Sequence, residues 1–339
     1  IMIYFTFLPD YKNHRNISGN AVMNQQMYLR YFDKKKDILL NATAKKDLLT
    51  ITKKIYFVFL SLILVIFGKQ KEIYTVLFDY KGFYFQVLFL FFISFFCKKI
   101  IIHHHSFKYL NDKKILILLK SKKIIHICSS KKQYSSLKKN YFFRNIHLIE
   151  NYIFLYDEKI WNRKKEIRKF KIIYYSRIHQ NKGIFDFIRL ATEMVGNKKV
   201  SFKIFGNECS NETKVILKNL KNKNIIEDFK LNINRSNQKK MFLSNDILIF
   251  PSKHKSETTP LVIDECINYG VIPIAYNIGD IKRQISNLNL IANTYNEIKQ
   301  KLINTINNYK EINPSIIKIK KVKLTNKHNS FKKLDKIFQ

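Results

Sequence analysis

The sequence predicts an α/β protein built as two similar halves, each a parallel sheet with helices on both faces. Three observations carry this. The chain has 339 residues, enough for two domains of ordinary size. Short apolar runs of strand type alternate with helical patterns through both halves. Residues 246–275 read as strand, loop, capped helix and strand, the repeating unit of such a fold.

In the amino half, residues 2–7 form the first strand pattern, a polar loop follows through Asn20, and a helix is expected over 22–32. Two apolar runs, 55–67 and 87–97, fall short of the roughly 18 residues of a spanning helix. Strand-like segments at 73–78 and 100–102 flank them, so both read as buried helices. No secretory signal is read, and Ile1 already falls inside a strand pattern. The charged stretch 157–169, with Trp161, is the expected interdomain linker. The carboxyl half resumes with a strand at 171–176 and a helix at 184–190. The tail from 325 to 338 reads as a helix with Phe331, Leu334, Ile337 and Phe338 on one face.

Chemistry concentrates in the carboxyl half. Apolar runs at 246–251 and 271–275 bracket a helix expected to be capped by Thr259, to open at Pro260 and to end before Gly270. Ligands of such units bind at the carboxyl ends of the strands, where a helix N-terminus attracts phosphate. Glu257 precedes that anion site and Glu265, with seven residues between them, follows it. The arrangement suits a diphosphate with a hydroxylated ring at each end, as in a nucleotide sugar. Arg177 and Lys182 flank the turn between the strand at 171–176 and its helix. A guanidinium fork and an ammonium point charge there would suit a diphosphate leaving group.

Together these elements resemble the GT-B glycosyltransferases of family 4 type, the group 1 glycosyltransferases. Arg177 with Lys182-Gly183 matches the Arg-x4-Lys-Gly element, Glu257 and Glu265 match Glu-x7-Glu, and Phe250-Pro251-Ser252 stands at the strand-end Pro-Ser. Weaker matches are Gly206 for the strand-end glycine, Cys128-Ser129, and Leu148-Ile149-Glu150-Asn151 before the linker. Two loops depart from the pattern. A single Gly19 replaces a Gly-Gly pair, and Gly279-Asp280-Ile281-Lys282-Arg283 has a basic residue in an acidic slot.

The resemblance implies a GT-B fold, two Rossmann-like domains with parallel sheets facing across a cleft. It divides the chain into an acceptor-side domain (1–155), a linker (156–170), a nucleotide-sugar domain (171–310) and a basic tail (311–339) whose helix crosses back. It implies a hexosyltransferase that retains anomeric configuration and needs no metal or cofactor. The donor, a UDP-sugar or alternatively a GDP-sugar, would place its diphosphate on Arg177, Lys182 and the amides of Leu261 and Val262. Thr259, Pro260 and Gly206 would line that site, Glu265 would hold the ribose and Glu257 the sugar. A lipid-linked saccharide acceptor would enter near Ser18 and Gly19. Surface polysaccharide synthesis, as O-antigen, capsule or lipopolysaccharide, on the inner face of a bacterial plasma membrane is the expected setting.

His103-His104-His105 precedes Ser106. Successive strand residues point to opposite faces, so three in a row do not converge on one ion, and no Cys or carboxylate cluster accompanies them. The resemblance implies one cleft-facing histidine here, His105, with His104 as the fallback; a plain polar strand end is the alternative.

The four cysteines form no Cys-x-x-Cys pair or regular framework, which fits a reducing compartment. Net charge is +37, divided as +18 over residues 1–150 and +19 over the rest. No confined basic helix, zinc spacing or aromatic stripe of an RNA-binding motif accompanies it, so specific nucleic-acid binding is not expected. The densest basic stretches, 122–139 and 318–336, read either as solvated faces or as contacts to an anionic membrane. The rival readings are a noncatalytic scaffold of the same fold and a basic nucleic-acid-binding protein.

Overall fold

The computed structural model describes residues 2–6, 19–41, 48–68, 71–77, 83–107, 109–110, 114–159, 169–207, 209–233, 235–286 and 288–339. They fall into two compact units, Ile1–Phe154 with Ser330–Gln339, and Leu155–Asn329. Ser18, Trp161 and most of the expected linker (160–168) lie outside the described residues.

The first unit runs β1 (Met2–Thr6), α1 (Gly19–Tyr31), β2 (Ile38–Asn41), α2 (Leu48–Phe67), β3 (Glu72–Val76), α3 (Phe83–Ile93) and β4 (Lys99–His104). A 3-10 turn (Lys114–Leu119), β5 (Ile124–Cys128), α4 (Lys131–Tyr141) and β6 (Ile146–Leu148) complete it. Every connection is a crossover, so every strand pair is parallel, in the order β2-β1-β3-β4-β5-β6. Alternation along the strands decides the two faces. Ile3, Phe5, Ile100 and Ile102 join one core with Val65 of α2, Val87 and Leu90 of α3 and Leu137 of α4. On the opposite face Tyr4 packs edge-on against Tyr28 and Phe32, and Tyr74 meets Phe338 of the returning last residues at a tilt.

The two apolar runs do form helices, but they are not buried ones. Each has one face on the core and one exposed face rich in aromatics. A helix laid on one face of the sheet buries only its inner stripe, which leaves Phe59, Phe67, Phe92 and Phe95 exposed.

The second unit runs β7 (Phe170–Arg177), a 3-10 turn (Gln180–Lys182), α5 (Ile184–Glu193), β8 (Val200–Asn207), α6 (Asn211–Asn222), β9 (Asp228–Leu231) and α7 (Arg235–Leu243). It continues through β10 (Ile247–Phe250), α8 (Leu261–Asn268), β11 (Ile272–Tyr276), α9 (Ile281–Gln284), β12 (Ile291–Ala292), α10 (Tyr295–Asn307) and α11 (Tyr309–Phe338). The sheet is again parallel, ordered β12-β11-β10-β7-β8-β9. The chain winds outward from β7 to β9, then returns to lay β10 on the other side of β7. The gap between the ends of β7 and β10 is therefore the topological switch point, where open α/β sheets bind ligands. Local signals set the helix starts: Ser210 and Thr294 hydroxyls accept the amides of Thr213 and Glu297, each at 3.2 Å.

The tail helix is longer than expected, thirty residues, and its lysines are not all solvated. Lys320, 2% exposed, donates to Asp157 (2.9 Å) and to the Asn268 carbonyl (3.0 Å). Lys323 pairs with the buried carboxylate of Asp264, which also accepts from Gln284 (2.6 Å) and Tyr156 (3.3 Å). These two lysines thus belong neither to a solvated face nor to a membrane contact. They clamp α11 to α8 and to the segment that opens the second unit.

Candidate active site

Arg177 is the last residue of β7 and is exposed; Lys182 ends the 3-10 turn that follows. This turn is fixed from beneath. The hydroxyl of Tyr174, whose ring is wholly buried, donates its one proton to the Arg177 carbonyl at 2.6 Å, with the Lys182 carbonyl 3.3 Å away on the same hydroxyl. Burial pushes the Tyr174 phenol far above its ordinary range, so it is a permanent donor. Gly183 follows at φ 76°, and a Cβ there would stand 1.9 Å from the Pro251 carbonyl oxygen. Only glycine permits that conformation and that approach. The Lys253 amide donates to the Asn181 carbonyl (2.9 Å), so the loops after β7 and β10 are joined across the switch point.

That junction brings Lys182 and Glu257 together as an ion pair, each side chain 14% exposed. Ser252, buried at the end of β10, places its hydroxyl 3.5 Å from the same carboxylate oxygen. The backbone of 257–258 is held from the other side: the Asp280 amide donates to Thr258 O (2.7 Å). Gly279, at φ 56°, sits so near that a Cβ would meet the Glu257 and Thr258 carbonyls at 2.6 and 2.4 Å.

The helix after Glu257 begins one residue later than expected. Pro260, at ψ 122°, is the cap and Leu261 the first helical residue, because the Pro260 carbonyl receives the first amide, that of Ile263 (3.2 Å). Thr259 is therefore outside the helix and is not its cap. The amides of Leu261 and Val262 open α8, where a helix has donors without intrahelical partners. Glu265 lies in the next turn, half-buried; its charge joins burial, the larger effect, in raising the Tyr175 phenol. Gly206 packs the end of β8 against β7; a Cβ there would stand 2.0 Å from Ser176 O.

The second unit thus joins Lys182 to Glu257 and carries Arg177, Gly206, Leu261, Val262 and Glu265 on the carboxyl ends of β7, β8 and β10 and on α8. His105 and Gly19 belong to the first unit. There His103 and His105 share one face, ring centroids 4.0 Å apart, and His105 Nε2 bonds Asn24 Oδ1 of α1 at 3.0 Å. Gly19 opens that same helix. His104, the fallback, points the other way into a network with Tyr109 (3.1 Å) and His126 (3.0 Å), and His126 Nε2 meets Leu119 O (3.0 Å). It is a core residue. Burial holds His105 down to about 4 and His126 to about 3, with His103 and His104 lower than ordinary as well.

Sequence reasoning missed Tyr174, which looks like any strand aromatic, and Asp186, which accepts from Tyr276 (2.6 Å) and Lys253 (2.8 Å). Among the described residues no group of three or more His, Cys, Asp or Glu is placed to hold a metal ion.

Solved structures with the same architecture include a glycosyltransferase of Rickettsia africae, 15% identical, with a TM-score of 0.67 over 99% of this chain and 97% of that one. Another is Anabaena HepE in complex with UDP-glucose, 12% identical, TM-score 0.68, covering 99% of both chains. S. aureus TarM, solved with UDP and alpha-GlcNAc-glycerol, is 18% identical with a TM-score of 0.58 over 79% of this chain; the match spans 55% of TarM's own length. No curated protein matches the sequence. With two parallel six-stranded units and these neighbours, the fold is GT-B. The family model of glycosyl transferases group 1 matches residues 157–326, half of the chain and nearly all of the unit that holds the Lys182–Glu257 pair, and the chain belongs to that family.

Proposed function

We propose that the protein transfers a hexose, with retention, from a UDP-sugar to a saccharide acceptor. The observation that carries this reading is the Lys182–Glu257 pair at the switch point, made by the loop that follows Arg177 at the end of β7 and the loop that leads into α8. In the proposed complex the diphosphate lies on the Leu261 and Val262 amides, and Arg177 and Lys182 meet its oxygens. Glu265 holds the ribose hydroxyls. Glu257 exchanges its bond with Lys182 for the sugar hydroxyls. As the glycosidic bond to the diphosphate breaks, negative charge grows on the leaving group, and the two cations act most strongly at that moment. The departing phosphate takes the acceptor proton. Two fixed cations supply the charge neutralisation, so the step uses no divalent ion, and EDTA leaves the rate unchanged.

HepE is described with UDP-glucose and TarM with UDP, which favours uridine as the base. The acceptor site belongs to the first unit, around Gly19 and His105, and the acceptor is lipid-linked, as in O-antigen, capsule or lipopolysaccharide assembly on the inner face of the plasma membrane. The test is UDP release from a panel of UDP-hexoses with lipid-linked oligosaccharides. Turnover with one donor, abolished in Arg177→Ala, supports the reading; equal release by wild type and variant overturns it.

A further inference from the structure

The outer helical layer of the first unit has an aromatic surface with no place in the proposed reaction. In α2, Tyr56, Phe59, Ile63 and Phe67 recur at helical spacing and are all exposed, Phe67 to 84%, while Ser61 and Val65 take the core side. In α3, Tyr84, Phe85, Leu88 and Phe92 do the same, and the turn after it adds Phe95, 64% exposed. Ten of the nineteen exposed large apolar side chains among the described residues lie between residues 56 and 96, so this is one concentration and not the usual scatter. The helices belong to one layer, because their inner sides share one core with the 3-10 turn and α4.

Charge distinguishes the possible occupants. Neither α2 nor α3 contains an acidic residue. Residues 114–142, whose 3-10 turn and α4 share the core of α2 and α3, contain eight lysines, all exposed, and no Asp or Glu. Lys120 lies over the ring of Phe142, itself 62% exposed. A second copy docked here would set lysines against lysines with no carboxylate to answer them. An anionic lipid surface offers phosphates to the lysines and an acyl boundary to the aromatics. Among the described residues no helix is long and apolar enough to cross a membrane, so contact is from one side.

We propose that the α2–α3 face of the first unit is a membrane-docking surface that inserts Phe59, Phe92 and Phe95 among the lipids while the lysines of 114–142 hold anionic headgroups. The proposal stands apart from the glycosyl-transfer reading, since a chain that binds no donor would still dock.

The test is flotation of the full chain with vesicles of phosphatidylcholine, alone or with roughly one third phosphatidylglycerol, at about 0.15 M salt. Wild type is expected to float with the anionic vesicles, and a Phe59→Ser/Phe92→Ser/Phe95→Ser variant to lose at least about tenfold in partition. All three side chains are more than half exposed, so the variant should keep its fold, which circular dichroism checks. In parallel, Phe92→Trp is expected to be quenched by brominated acyl chains, and Phe185→Trp, on the second unit, to remain unquenched. Unchanged flotation of the triple variant would reduce the effect to charge adsorption and overturn the proposal. So would no flotation of wild type, a dimer that the triple variant dissociates without vesicle binding, tighter binding to RNA that ignores the aromatic changes, or equal quenching at both positions.

Discussion

Lys182 and Glu257 are ion-paired although seventy-five residues separate them, and each comes from a loop at the switch point of the second sheet. The pair stores a cation and a carboxylate side by side, ready to part for a ligand that carries a diphosphate and hydroxyls. Lys182→Ala and Arg177→Ala are expected to lower kcat about 10²- to 10³-fold while changing donor affinity only a few-fold. Glu257→Gln releases Lys182 and is expected to hold UDP at least as tightly as wild type, yet to transfer sugar poorly. Calorimetry with UDP beside steady-state rates separates these effects; an unchanged kcat in Lys182→Ala would remove it from the step.

Tyr174 positions the loop without reaching the substrate. Removing its hydroxyl in Tyr174→Phe leaves the carbonyls of Arg177 and Lys182 without that donor. The expected cost is about 1 to 2 kcal/mol in urea denaturation. Turnover should fall more than KM rises, because the cations are displaced in the transition state. Wild-type kcat at reduced stability would limit Tyr174 to a structural role.

Buried charge holds α11 to the rest of the second unit. Asp264→Asn or Lys323→Met leaves one partner of a buried pair alone, at an expected cost of about 3 to 5 kcal/mol. Replacing both by apolar residues, Asp264→Leu with Lys323→Met, should recover most of it. Single variants within about 1 kcal/mol of wild type in guanidinium unfolding would contradict the clamp.

Four buried histidines make the first unit sensitive to acid. His103, His104, His105 and His126 are held neutral, His105 down to about 4 and His126 to about 3. The unfolded chain, titrating near 6.5, binds more protons, so stability is whole above about pH 6.5 and falls as pH drops from there toward 4. Each histidine contributes at most about 1.4 kcal/mol per pH unit over its window. Thermal unfolding between about pH 7 and pH 5 should show the decline, shallower in His126→Gln; a flat profile would refute it.

Legibility in the sequence followed how local each signal is. Arg177, Lys182 and Gly183 fall within one short stretch, as do Glu257 and Glu265, so spacing singled out these residues, whereas the Lys182–Glu257 pair, which joins the two stretches, left no local signal. Thr259 misled because a good cap residue precedes a proline, whereas the extended ψ of Pro260 makes the proline itself the cap. Lys320 and Lys323 looked like tail charge, since their partners Asp157 and Asp264 lie 163 and 59 residues away. The apolar runs of α2 and α3 announced helices, but hydrophobicity does not tell which side a sheet covers. Only the shared core of Val65, Val87 and Leu90 separates the inner face from the outer one.

A donor nucleotide site on the second unit is tested most directly by thermal stabilisation with UDP, GDP and ADP and their sugars, in salt high enough to suppress nonspecific anion binding. Saturable stabilisation by the uridine series, lost in Glu265→Ala, is the expected result. No stabilisation by any nucleotide, or stabilisation indifferent to Glu265, would contradict such a site.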